Sequence, residues 1–388
     1  MVIGLTRIEN LIGNPNGLDG DCEISFNEWW AEQAFSDNPN NKSEIWPEVD
    51  TLVQKWKLDI GLPFSFIYGG QHSSSFLNTW DRTIKDEFID KTGEAKGGMT
   101  LVDNTWIERT LAMGSGSATI VAGGSACNTI VGVGKLGGTA RFVGKCGNDK
   151  WGRQYEEDLV KQNVEPALLR SDSPTGRVLS IITPDAQRTM FTYLGASAET
   201  RPEDIGIDSF ADAAVVHIEG YLLFNPDLIR ASLEAAKTAG ALVSMDLASF
   251  TVVEQSLDLL EELVADYVDI LIANEDEARA FTGQSDEDLA LKALAGKAKI
   301  AVLKIGPRGS YVTCAGETIR IQPSGNSVAV DTTGAGDLWA AGFLFGLVQG
   351  YSLEKCGQLG SACGYEVCQV TGANIPEDGW NRIRKLLV

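Results

Sequence analysis

Residues 331–350 read Asp331-Thr332-Thr333-Gly334-Ala335-Gly336-Asp337 and then LWAAGFLFGLVQG. The tail is apolar and rich in small residues at helical spacing, so the glycines stand where a helix begins. A Gly-Ala-Gly turn at a helix N-terminus presents backbone N–H groups that have no partner within the helix, and the helix dipole adds positive potential there. Glycine lets a phosphate come close to the backbone. Asp337, next in line, is well placed to take a proton from an attacking hydroxyl. A cradle for negative charge beside a base makes up the parts of a phosphoryl-transfer site. The plainer reading is a capped helix with a Gly-rich entry, in which Asp337 only favours the first turn by its charge.

Upstream of this stretch, strands alternate with helices. AVVHIEG (214–220) precedes a helix at 226–239, ALVSMD (241–246) one at 252–265, and VDILIAN (268–274) one at 275–282. KIAVLKIG (299–306) follows a helix at 286–297, and a β-hairpin at 309–321 leads into the 331–337 turn. The runs VDILIA and IAVLKI do not alternate in polarity, as expected of strands covered on both faces of a parallel sheet. After the turn, helices are expected at about 335–350, 352–370 and 377–387. Nearer the start, MTLVD (99–103), ATIVA (118–122) and ARFVG (140–144) read as short strands, and RVLSIIT (177–183) with RTMFTYL (188–194) as a hairpin about Pro184-Asp185. The whole predicts a three-layer α/β fold.

Residues 1–72 read differently. They carry five Asp and six Glu against four Lys/Arg, hold Trp29, Trp30, Trp46 and Trp56, and contain the loop signals NPN (14–16) and NPNN (38–41). Two short helices, 26–35 and 48–56, are expected in what is otherwise a Trp-rich extension (1–72) outside the main domain (73–388).

The net charge of −21 disfavours nucleic acid and anionic membrane surfaces as partners, since both are bound through Lys and Arg. No apolar run approaches the ~18 residues of a membrane span. The opening MVIGLTRIENLIGNP lacks the basic head and apolar stretch of a secretory signal, so a cytoplasmic setting is expected. With two histidines, a His-rich zinc site is disfavoured. The seven cysteines, an odd number with no C-x-x-C pair, read as reduced thiols.

DTTGAGD running into an apolar helix resembles the C-terminal signature of the PfkB-type, ribokinase-like family of carbohydrate and nucleoside kinases. GGSACNTIVGVGKLGGTARFVGKCGNDKWG (123–152) is similar to that family's N-terminal signature, and Asn274-Glu275-Asp276-Glu277 to its N-x-x-E motif. GGMTLVD, RTMFTYLGAS and IEGYL look most like the bacterial adenosine kinase-like branch. The resemblance implies a ribokinase-like three-layer α/β/α sandwich with a mostly parallel central sheet. It also implies a small β lid, with strands within about 99–118 and 175–196. It further implies ATP-dependent phosphorylation of a hydroxymethyl group on a nucleoside or sugar.

Residue by residue, Asp337 matches the catalytic base and Gly334, Ala335 and Gly336 the anion hole. Asn274 and Glu277 match the motif that orders Mg²⁺ through water. Lys304, Gly306 and Gly309 match the loop near the nucleotide phosphates, and Gly372-Ala373 the region near adenine. Gly123, Gly124 and Asn128 fall where acceptors pack, and Asp331 and Thr333 where some members bind a monovalent cation such as K⁺. A monomer or homodimer is implied.

Several motifs compete with this picture. GVGKLG (132–137) has the form G-x-G-x-x-G but lies inside an expected helix, not after a strand. Gly144-Lys145-Cys146 has Cys where a P-loop needs Ser or Thr. Asp149 reads as a turn carboxylate and His217 as a core histidine, while Asp246 could touch a substrate or cap a helix. The family's usual opening, a strand ending in Gly-Asn-x-x-x-Asp, should fall near residues 70–80, where YGGQHSSSFLNTWDRTIKDEF (68–88) stands instead. Tyr68-Gly69-Gly70, Asn78 or Asp81 could be its remnants. The start could be remodelled, with 1–72 supplying another first strand. It could instead carry a shifted frame or misjoined start, or belong to a member that has lost acceptor binding and serves as an assembly subunit.

Overall fold

The runs VDILIA and IAVLKI lack alternation because each strand sends every second side chain into a different core. The computed structural model describes residues 2–6, 76–81, 99–113, 119–182 and 188–387. Its first part comprises β1 (Val2–Thr6), β2 (Phe76–Asp81), β3 (Met99–Leu101), α1 (Asn104–Met113), β4 (Thr119–Gly123), α2 (Ser125–Leu136), β5 (Ala140–Gly147), α3 (Lys150–Lys161) and β6 (Val164–Ser171). There follow β7 (Arg177–Ile182), β8 (Arg188–Tyr193), β9 (Ala213–Glu219), α4 (Pro226–Thr238), β10 (Leu242–Asp246), α5 (Phe250–Gln255), α6 (Leu257–Tyr267), β11 (Ile270–Asn274), α7 (Glu275–Thr282) and α8 (Glu287–Ala295). The last part holds β12 (Ile300–Lys304), β13 (Ser310–Cys314), β14 (Glu317–Ile321), α9 (Ala335–Val348), α10 (Leu353–Val367) and α11 (Glu377–Arg384).

The central sheet has nine strands in the order β14-β13-β12-β11-β10-β9-β1-β5-β6. It is parallel across β9–β12 and between β5 and β6. Ile270, Ile272, Ile300 and Val302 point into one core with α2, α9 and α10, while Leu271, Ala273, Ala301 and Leu303 point into the other with α4, α5 and α6. Period two on a sheet covered on both sides yields this division, and the result is the expected α/β/α sandwich. The helix expected over 252–265 is two helices, interrupted at Ser256, whose φ of −130° and ψ of 23° are not helical.

A second sheet, β3-β8-β7-β2-β4, supplies the lid. It contains the strands expected there and adds β2 and β4, the latter leading straight into α2. Trp106 of α1 stacks on Phe191 of β8 at 4.3 Å over a small separate core.

β1 lies between β9 and β5, antiparallel to both. Residues 2–6 of the segment expected outside the domain are therefore part of its sheet. Val2, Ile3 and Thr6 are β-branched, which favours a strand. The expected helices at 26–35 and 48–56, Tyr68-Gly69-Gly70 and the Pro184-Asp185 turn lie outside the described residues. Six cysteines are described, all as free thiols. Among the described residues no helix is long and apolar enough to cross a membrane.

Close helix packing places the site. A Cβ on Gly132 of α2 would stand 2.6 Å from Ala341 Cβ and 2.8 Å from Leu338 Cδ1 of α9, so only glycine lets the two helices touch here. Gly134 likewise packs against the Gln162 carbonyl, and Gly137 ends α2 in the left-handed region at φ 94°. The glycines of GVGKLG thus serve packing and capping. Gly132→Ala is expected to cost about 1–3 kcal/mol by overpacking, with a matching drop in the denaturation midpoint. An unchanged midpoint would contradict this account of the contact.

Candidate active site

Parallel strands in register bring their C-terminal residues to one edge. Asp246 pairs with Glu219, and Asn274 with Lys304, at the ends of β9–β12. Open α/β sheets bind ligands at this edge. Lys304 Nζ bonds Asp246 Oδ2 at 2.6 Å, with the two side chains 13% and 8% exposed. Asp246 also accepts from the Ala248 N–H through Oδ1 at 3.0 Å. Asp246 is thus paired with the lysine, a partner that neither sequence reading named. Burial alone would lower the Lys304 ammonium pKa, but the charges of Asp246 and Glu277 hold it above its usual value.

The 334–337 turn faces this group. Gly334 takes φ 75°, a left-handed conformation that favours glycine. A Cβ on Gly336 would lie 3.0 Å from Lys304 Nζ, so the missing side chain leaves the ammonium next to the helix opening. Of the three residues expected to form the anion hole, Ala335 has its N–H on Thr332 O at 3.2 Å. The loop is stapled from behind. Asp331 Oδ1 accepts from the Thr333 N–H at 2.9 Å and its hydroxyl at 2.6 Å, and Asp331 Oδ2 from the Gly372 N–H at 2.8 Å. Ala373 packs on Gly334, whose would-be Cβ lies 2.7 Å from Ala373 Cβ. These contacts unite the 331–337 and 372–373 segments.

Asp337, in the first turn of α9, receives two side-chain donors from α2. Ser125 Oγ donates to its Oδ1 and Asn128 Nδ2 to its Oδ2, each at 2.8 Å. Residues 125 and 128 share a face because they are one helical turn apart. Burial, then the adjacent Glu219 carboxyl, raise the Asp337 carboxyl to about 7, against the lowering effect of those two donors. Gly123 ends lid strand β4, and Gly124 opens α2 at φ 104°. The expected acceptor residues therefore stand where lid and sandwich join, with Asn128 also gripping Asp337.

Asn274 and Glu277 form a reciprocal helix cap. Asn274 Oδ1 accepts from the Glu277 N–H at 2.9 Å, while Glu277 accepts from the Asn274 N–H at 2.7 Å and from its Nδ2 at 2.6 Å. Burial and Asp246 raise the Glu277 carboxyl to about 8. Gly306 and Gly309 shape the turn after Lys304 with φ of 56° and 100°, and a Cβ on Gly309 would meet the Ile321 carbonyl at 2.1 Å.

Asp149 is the N-cap of α3, accepting from the Gly152 N–H at 2.8 Å and from Thr175. His217 is fully buried, and burial lowers it to about 4. Asn78 and Asp81 lie on β2 in the lid sheet, Asn78 paired with both β7 and β4 and Asp81 with β7. β1 holds the central-sheet position but contains no carboxylate. Two residues of the site escaped the sequence reading, Ser125 and Glu219. For Ser125 the available signal was its i, i+3 spacing to Asn128.

A sheet edge that gathers a carboxylate, an ammonium and an open helix turn under a β lid defines a phosphotransferase with an alcohol group as acceptor. Residues 87–379 match the family described as pfkB family carbohydrate kinase. The chain belongs to that family. The structure of adenosine kinase from Sinorhizobium meliloti is 34% identical, with a TM-score of 0.73, covering 84% of this chain and 98% of that one. A probable sugar kinase from Rhizobium etli CFN 42 is 32% identical, with a TM-score of 0.74, covering 83% and 97%. The ribokinase of Arabidopsis thaliana is 32% identical over 243 residues, 58% of this chain and 62% of that protein.

Proposed function

We propose that this protein transfers the γ-phosphoryl group of ATP to a hydroxymethyl group of a nucleoside of the adenosine kind. The observation that carries the reading is Asp337, fixed through both oxygens by Ser125 and Asn128 beside the Gly336–Lys304 cradle. Each carboxylate oxygen keeps a further lone pair, so Asp337 retains an acceptor for the substrate hydroxyl. Asp337 takes the hydroxyl proton as the oxygen attacks the γ-phosphorus in line and the bond to the β–γ bridging oxygen breaks. The first-turn amides and Lys304 oppose the charge that develops on the transferring group. Closure of the lid sheet over the acceptor keeps out water that would hydrolyse ATP.

The donor set fits a metal that arrives with the nucleotide. No cluster of three or more His, Cys, Asp or Glu suited to a metal occurs among the described residues, and Mg²⁺ commonly keeps several waters. Glu277 and Asn274 would hold such waters, and the metal would neutralise phosphate charge. Asp331 and Thr333 are the candidates for K⁺, and the hydrogen bonds between them and from the Gly372 N–H shape the turn. The setting proposed is cytoplasmic, with a small-molecule acceptor and a monomeric or homodimeric protein.

The likeness to the Sinorhizobium meliloti adenosine kinase favours a nucleoside. A free-sugar acceptor is the second reading, favoured by the similar likeness to the probable sugar kinase. A panel of nucleosides and sugars with ATP, scored by ADP release, tests both. Adenosine-dependent release is the expected result. Release with a sugar alone would move the acceptor assignment, and ATP binding with no release from any acceptor would favour a non-catalytic subunit.

A further inference from the structure

The reaction above leaves Glu219 at the end of β9 without a task, although it is 2% exposed and stands behind the base. Ser125 Oγ, which donates to Asp337 Oδ1 at 2.8 Å, is also in hydrogen-bond contact with the Glu219 carboxyl. A serine hydroxyl owns one hydrogen, so it cannot donate to two carboxylates at once. Asp337 has that hydrogen and an amide from Asn128, and two adjacent buried carboxylates do not both ionise readily. A proton shared by the pair therefore belongs on Glu219, where it can be donated to Ser125 Oγ.

The surroundings of Glu219 agree. On its own strand, His217 Nε2 lies 3.4 Å from Glu219 Oε1, and His217 Nδ1 lies 3.0 Å from Ser244 Oγ. β10 presents Asp246, α7 presents Glu277, β12 presents Lys304, and Tyr221 follows on the chain. Lys304 is bound by Asp246, so its charge is already matched. β1, on the other side of β9, has no titratable side chain, while the N-terminal α-amino group acts to lower the Glu219 carboxyl; of the helices over this face α9 brings Asp337, and α2 carries the buried Cys127 and, near its far end, Lys135. Burial, then Asp246, raise the Glu219 carboxyl to about 8.

Resting on the kinase reading, we propose that Glu219 acts as a neutral acid and positioning residue: it donates to Ser125, Ser125 donates to Asp337, and this one-way chain keeps Asp337 anionic and aimed at the acceptor hydroxyl. Glu219 retains its proton throughout. The proton that leaves the alcohol goes to Asp337 alone. Ionisation of Glu219 in alkali turns the Ser125 hydrogen away from Asp337 and adds a negative charge behind the phosphoryl site, which lowers kcat more than it alters KM.

The test uses the full chain and two readouts. In infrared spectra at neutral pH, the protonated-carboxyl carbonyl band is expected to be larger in Asp337→Asn than in Asp337→Asn/Glu219→Gln, the remainder belonging to Glu277. This needs no substrate. With the acceptor found by the panel, wild-type kcat is expected to fall on the alkaline side of about pH 8. Glu219→Gln, whose amide still donates to Ser125, should keep most of the neutral-pH rate and lose that alkaline fall. Glu219→Ala should lose about tenfold in kcat with KM little changed, the effect of one hydrogen bond to a charged group. An unchanged band in the double variant, or an alkaline fall persisting in Glu219→Gln, would overturn the role of Glu219 alone. Absence of transfer by the wild type would overturn the kinase reading and the role together.

Discussion

Asp337→Asn is expected to reduce kcat by about two to four orders of magnitude, the usual contribution of a positioned general base. The amide fits the same space and can still accept from Ser125 or Asn128, so the α2–α9 contact survives. Stability should not suffer at neutral pH. The Asp337 carboxyl is raised from 3.8 to about 7, so the folded state binds its proton more tightly than the unfolded chain does. Stability from that proton is fully present below the unfolded value of 3.8, and is lost as pH rises to about 7. The neutral Asn removes this dependence, so the variant should be at least as stable as wild type at pH 8 and show a weaker decline with pH. Steady-state kinetics and denaturant melts at two pH values check both statements. Near-normal turnover would remove Asp337 as the base, and a large loss of stability at pH 8 would show that its role is structural.

Lys304→Met is the second large effect. The ammonium is bound to Asp246 at 2.6 Å, with Glu219 and Glu277 in its field, all of them buried carboxyl groups. Removing the cation leaves the Asp246 carboxylate uncompensated, at a cost of about 3–5 kcal/mol, the range found when one partner of a buried ion pair is deleted. Protonation can relieve such a defect, so the loss should be greater at pH 8 than at pH 5.5. Asp246→Leu added to Lys304→Met should recover much of the stability, because the pair is then replaced by apolar groups. Phosphoryl transfer should remain lost in both variants, since no ammonium then stands beside Gly336. Urea melts of the two variants decide the structural part. A single variant as stable as wild type would show that the pair is solvated and contributes little.

The N-terminal region bears directly on the acceptor. Val2–Thr6 takes a place in the central sheet, yet VIGLT brings no acid to the glycine pair at 123–124. We propose that Asn128, which donates to Asp337 at the lid junction, takes part in holding the acceptor.

The sandwich was legible because its determinants are local. Apolar runs without alternation name strands covered on both faces, and a Gly-Ala-Gly turn before an apolar helix marks its own beginning. Asp337, Asn274 and Lys304 could be found because each stands at the end of such an element. The partners of those residues could not, since Ser125 meets Asp337 across 212 positions and Lys304 meets Asp246 across 58. Sequence alone established the elements, the turn and the candidate base. Only the tertiary structure decided which buried charges face one another, because strand register and the Gly132 contact bring these distant side chains within hydrogen-bonding distance, and desolvation then sets their protonation.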